Sequence, residues 1–274
     1  MEIFIDTAKL EEIEQAYSYG ILDGVTTNPS LVKKIVDDLK SKGKDVSVES
    51  YIKKILKLAR GTPVSLEVIG TTYKEMVEEG KRLFKKFNPV AKNVYVKIPV
   101  NPAFEEDSEN MFDGIKAIKT LTKARIPINC TLIFTPEQAL MAAKAGASFV
   151  SPFAGRIDDD IRKRVGVKFE KSDYFPASGW EKSGKILEDN GVVSGVDLVW
   201  QCVEIFRTYN IKTKVLAASI RNARQTREVA LAGADIATLP FYVIKEMLTH
   251  YKTIEGMKSF TADVVPEYAK IVKG

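Results

Sequence analysis

The chain has 274 residues, 45% hydrophobic and 28% charged, and its formal net charge of +5 is spread over 41 basic and 36 acidic residues. That suits a single globular α/β domain of about 250 residues. No Lys/Arg block is long or interleaved with aromatics, so a nucleic-acid surface is not indicated, whereas a small anionic substrate accounts for a mild basic excess.

In chain order, short apolar runs bounded by Gly, Pro or Asn alternate with longer amphipathic stretches. The predicted strands are 3–6, 24–28, 64–68, 94–98, 128–133, 148–153, 215–220 and 236–239. The predicted helices are 10–19, 31–39 with 51–58, 73–87, 111–124, 136–145, 196–209, 221–232 and 243–251. Thr135-Pro136 is a helix start, and Gly146 and Gly233 are helix ends. Eight strands too apolar to be half-exposed predict one domain, residues 1–274, folded as a (β/α)8 TIM barrel. An open doubly wound sheet shares the same alternation.

Two segments break the pattern. Residues 157–190, after the sixth strand, are polar and charged, with Asp158-Asp159-Asp160 and lone aromatics Tyr174, Phe175 and Trp180. They read as an extended loop on the active-site face, either a cover, a subunit contact or a solvated excursion. Residues 100–109 also read as extended. At the end of the chain, residues 256–272 predict a further helix with an apolar face of Met257, Phe260, Val264, Tyr268 and Ile271. That face has to be buried, on its own barrel or on a neighbour.

Two cysteines, Cys130 and Cys202, and one histidine, His250, leave no disulfide framework and no Cys/His zinc site. No metal or cofactor is expected, and His250 reads as a solvated helix-end residue whose cation suits a helix C-terminus. A strand-like start without a charged and apolar leader, and no apolar run of membrane-spanning length, predict a cytoplasmic protein with no membrane partner.

The chemical signal is polar residues inside apolar strands. Asp6 ends the first, Thr26 and Asn28 lie on the second, Glu67 on the third and Lys97 on the fourth. Asn129 and Thr131 lie on the fifth, Ser151 and Phe153 on the sixth, and Ser219 and Arg221 end the seventh. Alternate strand residues share a face, so each i, i+2 pair projects together into the barrel mouth while Cys130 faces the helices. Burying so many polar groups is costly unless they serve one another or a ligand. Lys97 is the sole charge in Val94-Tyr95-Val96-Lys97-Ile98. It reads either as a structural partner of Glu67 or Asp6, or as an amine kept neutral by desolvation and able to attack a carbonyl. Two carboxylates beside it suit general acid–base work. Arg156 and Arg221 follow strands six and seven, where guanidinium groups can grip phosphate oxygens, with Ser219 adding a hydroxyl.

At these residues the sequence resembles the small transaldolase and fructose-6-phosphate aldolase family. The resemblance is carried by Phe4-Ile5-Asp6-Thr7, Gly24-Val25-Thr26-Thr27-Asn28-Pro29-Ser30, Val96-Lys97-Ile98-Pro99 and Asn129-Cys130-Thr131-Leu132-Ile133-Phe134. Ser151-Pro152-Phe153-Ala154-Gly155-Arg156-Ile157-Asp158, Ala217-Ala218-Ser219-Ile220-Arg221-Asn222 and Gly233-Ala234-Asp235-Ile236-Ala237-Thr238-Leu239-Pro240 extend it along the chain. It implies that Lys97 forms an imine with a ketose phosphate and that Asp6 accepts the donor's C4 hydroxyl proton. It also implies that Glu67 and Thr131 hold a proton-shuttling water and that Asn28 and Asn129 bind the dihydroxyacetone hydroxyls. Arg156, Ser219 and Arg221 would take the phosphate. The aldolase branch resembles Gln at the Glu67 position and Tyr at the Phe153 position, so this chain is closer to the transaldolase branch. Free-aldolase activity is the alternative, and a catalytically silent sugar-phosphate binding barrel a remoter one. Family rings with swapped C-terminal helices imply a homo-oligomer.

Overall fold

The computed structural model describes residues 1–43 and 46–273. Strand β1 (Glu2–Asp6) leads through helix α1 (Leu10–Ser18) to β2 (Gly24–Thr26), which is followed by α2 (Pro29–Ser41) and α3 (Val48–Leu58). Next come β3 (Val64–Glu67), α4 (Tyr73–Ala91), β4 (Val94–Pro99), α5 (Asp113–Lys123), β5 (Ile128–Ile133), α6 (Pro136–Ala145) and β6 (Phe149–Pro152). Helix α7 (Ala154–Arg164) precedes a small hairpin, β7 (Glu181–Lys182) and β8 (Lys185–Ile186), and then α8 (Gly195–Thr208). The chain ends with β9 (Lys214–Ala217), α9 (Ala223–Leu231), β10 (Ile236–Leu239), α10 (Phe241–Leu248), α11 (Tyr251–Ala262) and α12 (Pro266–Lys273). Eight strands close in the order β1-β10-β9-β6-β5-β4-β3-β2, and every barrel pairing is parallel. This is the predicted TIM barrel, and closure excludes the open sheet. Among the described residues no helix is long and apolar enough to cross a membrane.

Two apolar layers result from the strand alternation. Outward residues such as Val25, Val64, Val96, Ile98, Cys130 and Val150 pack under the helices. Inside, Phe4, Phe149, Leu216 and Ile236 plug the barrel, with Phe149 stacked on Tyr95 at 4.6 Å and meeting Phe4 edge-on at 6.0 Å. Each such side chain contributes about 1.5–3 kcal/mol of burial. Gly24 belongs to this plug by absence: a Cβ there would stand 2.6 Å from the Phe4 ring. The polar layer sits on this plug, toward the C-terminal ends of the strands.

The capping residues place the helices on the strands. Thr72 and Thr135 form reciprocal capping boxes with Glu75 and Gln138. Asn28, Ser194 and Asn222 accept from the first-turn amides of α2, α8 and α9.

Three expectations change. The segment 157–190 is not one long loop, because its start lies in α7. Helix α7 has no clean apolar stripe, since its inner face carries buried Asp158, Asp159 and Arg162, each with a tertiary hydrogen-bond partner that sequence periodicity cannot see. The stretch after α7, residues 165–194, packs by Phe175 and by Tyr174, whose hydroxyl donates to Glu228 at 2.8 Å. The second change is in 256–272, which is two helices, α11 and α12, separated before Pro266. Their apolar face does not pack on the barrel: Met257, Phe260, Tyr268 and Ile271 are all exposed. Third, His250 is exposed as expected but stands at the start of a helix, where its ring Nδ1 accepts from the Lys252 amide and caps α11.

Candidate active site

A cavity of about 730 Å³ opens at the C-terminal end of the barrel. Its wall includes Asp6, Thr26, Asn28, Glu67, Lys97, Thr131, Phe153, Arg156, Ser219 and Arg221. Ten of the predicted site residues, from seven different strands or strand ends, therefore converge on one space, as expected of a barrel mouth.

Lys97 is buried, with its Nζ 3.3 Å from Glu67 Oε2. The parallel register places the two directly opposite, and places Lys97 opposite Asn129 on the other side. Asp6 sits across the cavity floor. Thr26 Oγ1 donates to its carboxylate at 2.8 Å and lies 2.6 Å from Thr238 Oγ1. A threonine has one hydroxyl proton, so when Thr26 gives it to Asp6, Thr238 must donate to Thr26. Burial raises the Asp6 pKa above the usual carboxylate range, while Lys97, Thr26 and Arg221 pull it back. A carboxylate whose proton affinity is raised by burial is suited to accept and return a proton.

Strand β5 changes register where it passes Thr131. Its pairing with β6 slips between Cys130 and Ile133, and Leu132 takes a left-handed φ of 59°. Strict alternation would send Leu132 to the helices; this bulge turns it inward, where it packs on the barrel plug and lines the cavity. The Thr131 hydroxyl is left buried without a protein partner among the described residues.

The cationic side of the cavity depends on a glycine. At Gly155 a Cβ would lie 2.1 Å from the Ser219 carbonyl oxygen, so only glycine lets the first turn of α7 approach the end of β9. That approach brings Arg156 and Arg221 to one wall. Arg156 stacks its guanidinium 4.9 Å from the Phe153 ring centroid. Arg221 donates from Nη2 to Asp159 Oδ2 at 2.6 Å. Ser219, between them, adopts a left-handed φ of 63°.

A family model described as transaldolase/fructose-6-phosphate aldolase matches residues 3–271. The chain belongs to the transaldolase/fructose-6-phosphate aldolase family. Three relatives, each bearing the name probable transaldolase, align over 263 residues. The one from Bacteroides thetaiotaomicron is 44% identical, with 96% of this chain and 97% of the relative covered. The one from Thermoplasma acidophilum is 40% identical, with 96% and 95% covered. The one from Desulfatibacillum aliphaticivorans is 41% identical, with 96% and 97% covered.

Within this family fold, two predicted residues stand apart from the cavity wall. Asn129 and Ser151 are fully buried one step below it, in a chain where Ser151 donates to Asn129 Oδ1 at 2.7 Å and Asn129 donates to Ser65 at 3.0 Å. Asn28 has two tasks, since its Oδ1 also caps α2 through the Leu31 amide. Sequence reasoning missed Thr238, Lys34 and Lys171, which also line the cavity. Thr238 is legible by the same rule as the others, a polar residue inside the apolar run 236–239. Lys34 and Lys171 carry no such mark, because exposed lysines on a helix and in a loop look like any solvated charge. With them the wall holds five cationic side chains (Lys34, Lys97, Arg156, Lys171, Arg221) against two carboxylates (Asp6, Glu67), a balance that favours an anionic ligand.

Proposed function

We propose that this protein is a transaldolase that carries a dihydroxyacetone unit from a ketose phosphate to an aldose phosphate through a Schiff base on Lys97. One observation carries the reading. A buried lysine in an otherwise apolar strand opens onto a cavity that holds two carboxylates and a wall of arginines.

The Lys97 amine attacks the C2 carbonyl of the ketose phosphate, and loss of water gives the imine. Glu67 and the Thr131 hydroxyl serve this step by positioning water for the proton transfers. Asp6 then takes the proton of the C4 hydroxyl as the C3–C4 bond breaks. The aldose phosphate leaves, and the electron pair is held as an enamine on Lys97. Addition of the enamine carbon to an acceptor aldehyde reverses the sequence, with Asp6 returning its proton, and water releases the new ketose. Asn28 meets the hydroxyls of the retained unit. Asn129 and Ser151 support the floor from beneath. Arg156, Ser219 and Arg221 hold the phosphate. Phe153 and Glu67 favour transfer over hydrolysis, because Phe153 offers no hydroxyl to orient water at the enamine.

The test is reductive trapping. Borohydride with fructose 6-phosphate should add one dihydroxyacetone-derived group at Lys97, identified by peptide mass. Adduct at another lysine, or none, refutes the mechanism. The exposed face of α11 and α12 is read as a contact with a second copy of the chain, to be checked by light scattering of the full chain and of a Phe260→Glu variant.

A further inference from the structure

Beside the main cavity lies a second one of about 520 Å³, lined by Phe134, Asp159, Lys163 and Asp189 among others. The two share three residues, Arg156, Arg221 and Lys171. Two of the three follow barrel strands. Lys171 belongs to the segment 165–194, far along the chain from any strand of the barrel.

Its position is fixed from both sides. Arg162 is almost fully buried, with Phe169 and Phe175 at 4.9 and 5.2 Å from its guanidinium carbon, and it donates to the Asp173 carbonyl at 2.7 Å. Asn222, the cap of α9 next to Arg221, donates from Nδ2 to the Ser172 carbonyl at 3.0 Å. The backbone just after Lys171 is thus tied to α7 and to the residue after Arg221, and the Phe169 ring before it is held against Arg162. The ammonium itself has no carboxylate within ion-pair distance among the described residues, although Asp159 and Asp160 stand on the neighbouring helix and are engaged by Arg221 and Arg164. An exposed lysine that is held in place, left unpaired and set beside two arginines repels its neighbours until an anion joins them.

We propose that Lys171 is a third cation of the phosphate site, a specificity residue through which the segment 165–194 selects dianionic phosphate monoesters. This rests on the reading of Arg156 and Arg221 as phosphate ligands. It assigns to the segment a role in binding charge.

Inorganic phosphate is the probe, titrated into the full-length protein and followed by calorimetry, so that the result does not depend on imine formation at Lys97. Lys171→Gln should weaken phosphate about threefold to fivefold, the scale of one solvent-screened ion pair. Lys171→Arg should restore most of the affinity. Lys168→Gln, with the same charge change in the same exposed segment, should leave it within experimental error. The loss on Lys171→Gln should also shrink as ionic strength rises. Undetectable phosphate binding by the wild-type protein, equal affinity in Lys171→Gln, or an equal loss in Lys168→Gln overturns the proposal. Absence of a borohydride adduct would refute the Lys97 chemistry alone and leave this titration valid.

Discussion

Lys97 Nζ lies 3.3 Å from Glu67 Oε2, and strand register sets the two residues opposite each other on β3 and β4. The structural-partner reading of Lys97 is therefore met by Glu67, and because the same lysine lines the cavity, the pairing leaves the nucleophile reading open to test. On the proposed mechanism, attack on a carbonyl requires the amine to part from this carboxylate.

The first prediction separates the two roles. Lys97→Arg keeps a cation near Glu67 but cannot form an imine, because a guanidinium stays protonated. Turnover and borohydride trapping should both be lost while the thermal midpoint stays near wild type. Lys97→Met should lose turnover and also stability, by about 1–3 kcal/mol, because the largely buried Glu67 carboxylate is left without its partner. A Lys97→Arg protein that still traps substrate would move the nucleophile elsewhere.

The second prediction concerns the two arginines, which the structure makes unequal. Arg156 is exposed and stacks on Phe153, whereas Arg221 is largely buried and paired with Asp159. Arg156→Ala should weaken phosphorylated substrates by about 1 kcal/mol and leave the melting temperature unchanged. Arg221→Ala should weaken them by about 2–4 kcal/mol and also lower stability, because the buried Asp159 carboxylate loses its main partner. Equal melting temperatures for the two variants would show that the Asp159 pairing contributes little to the fold.

Much of this site was legible in the sequence, for a definite reason. Strand alternation has a period of two, so polar residues such as Thr26, Glu67 and Lys97 in apolar runs announce an inward face. The rule failed where the backbone departs from ideal strand. Leu132 points inward through the bulge in β5, a left-handed residue that no periodicity predicts. Asn129 and Ser151 also face inward, but both are fully buried and outside the cavity wall. Helix α7 was hidden for the opposite reason: its buried face is charged, and only the folded arrangement supplies Gly195, Arg221 and Asp173 as partners. Nothing in the local sequence marks Lys171, because its place depends on Arg162 and Asn222.

The third prediction is a pH dependence. Asp158 is buried in α7, accepting from the Gly195 amide at 2.7 Å and from Gln225 Nε2 at 2.6 Å, and burial raises its pKa to about 7. Its unfolded value is near 3.8, so between these limits the native state holds the extra proton. Stability from this group therefore falls as pH rises from about 4 to about 7, with a slope of at most about 1.4 kcal/mol per pH unit. Asp158→Asn cannot titrate. Its stability difference from wild type, measured by urea unfolding at several pH values, should move in favour of the variant across that window. A difference that stays constant from pH 4 to 7 would show that Asp158 is not protonated in the native protein.

The last prediction concerns the fate of the enamine. The Phe153 ring packs against Phe134, at 5.7 Å, and the Arg156 guanidinium, at 4.9 Å, and forms part of the cavity wall. On the neighbouring strand β5 the buried Thr131 hydroxyl lacks a protein partner among the described residues. Hydrolysis of the retained unit needs a water oriented for attack as well as a proton for the enamine carbon. A phenyl wall supplies neither, so the unit should wait for an acceptor aldehyde. Fructose 6-phosphate with erythrose 4-phosphate should give sedoheptulose 7-phosphate quickly, while fructose 6-phosphate alone should release dihydroxyacetone slowly. Phe153→Tyr adds a hydroxyl to this wall, and Glu67→Gln replaces the carboxylate opposite Lys97 with the residue that the aldolase branch resembles. Together they should raise the ratio of release to transfer by about tenfold, which corresponds to about 1.4 kcal/mol of barrier and lies within the reach of one hydrogen bond. Both products are followed in the same reaction, so a general loss of activity cancels in the ratio. If wild-type protein releases dihydroxyacetone as fast as it transfers it to erythrose 4-phosphate, the chain is an aldolase, and Phe153 is not the residue that excludes water.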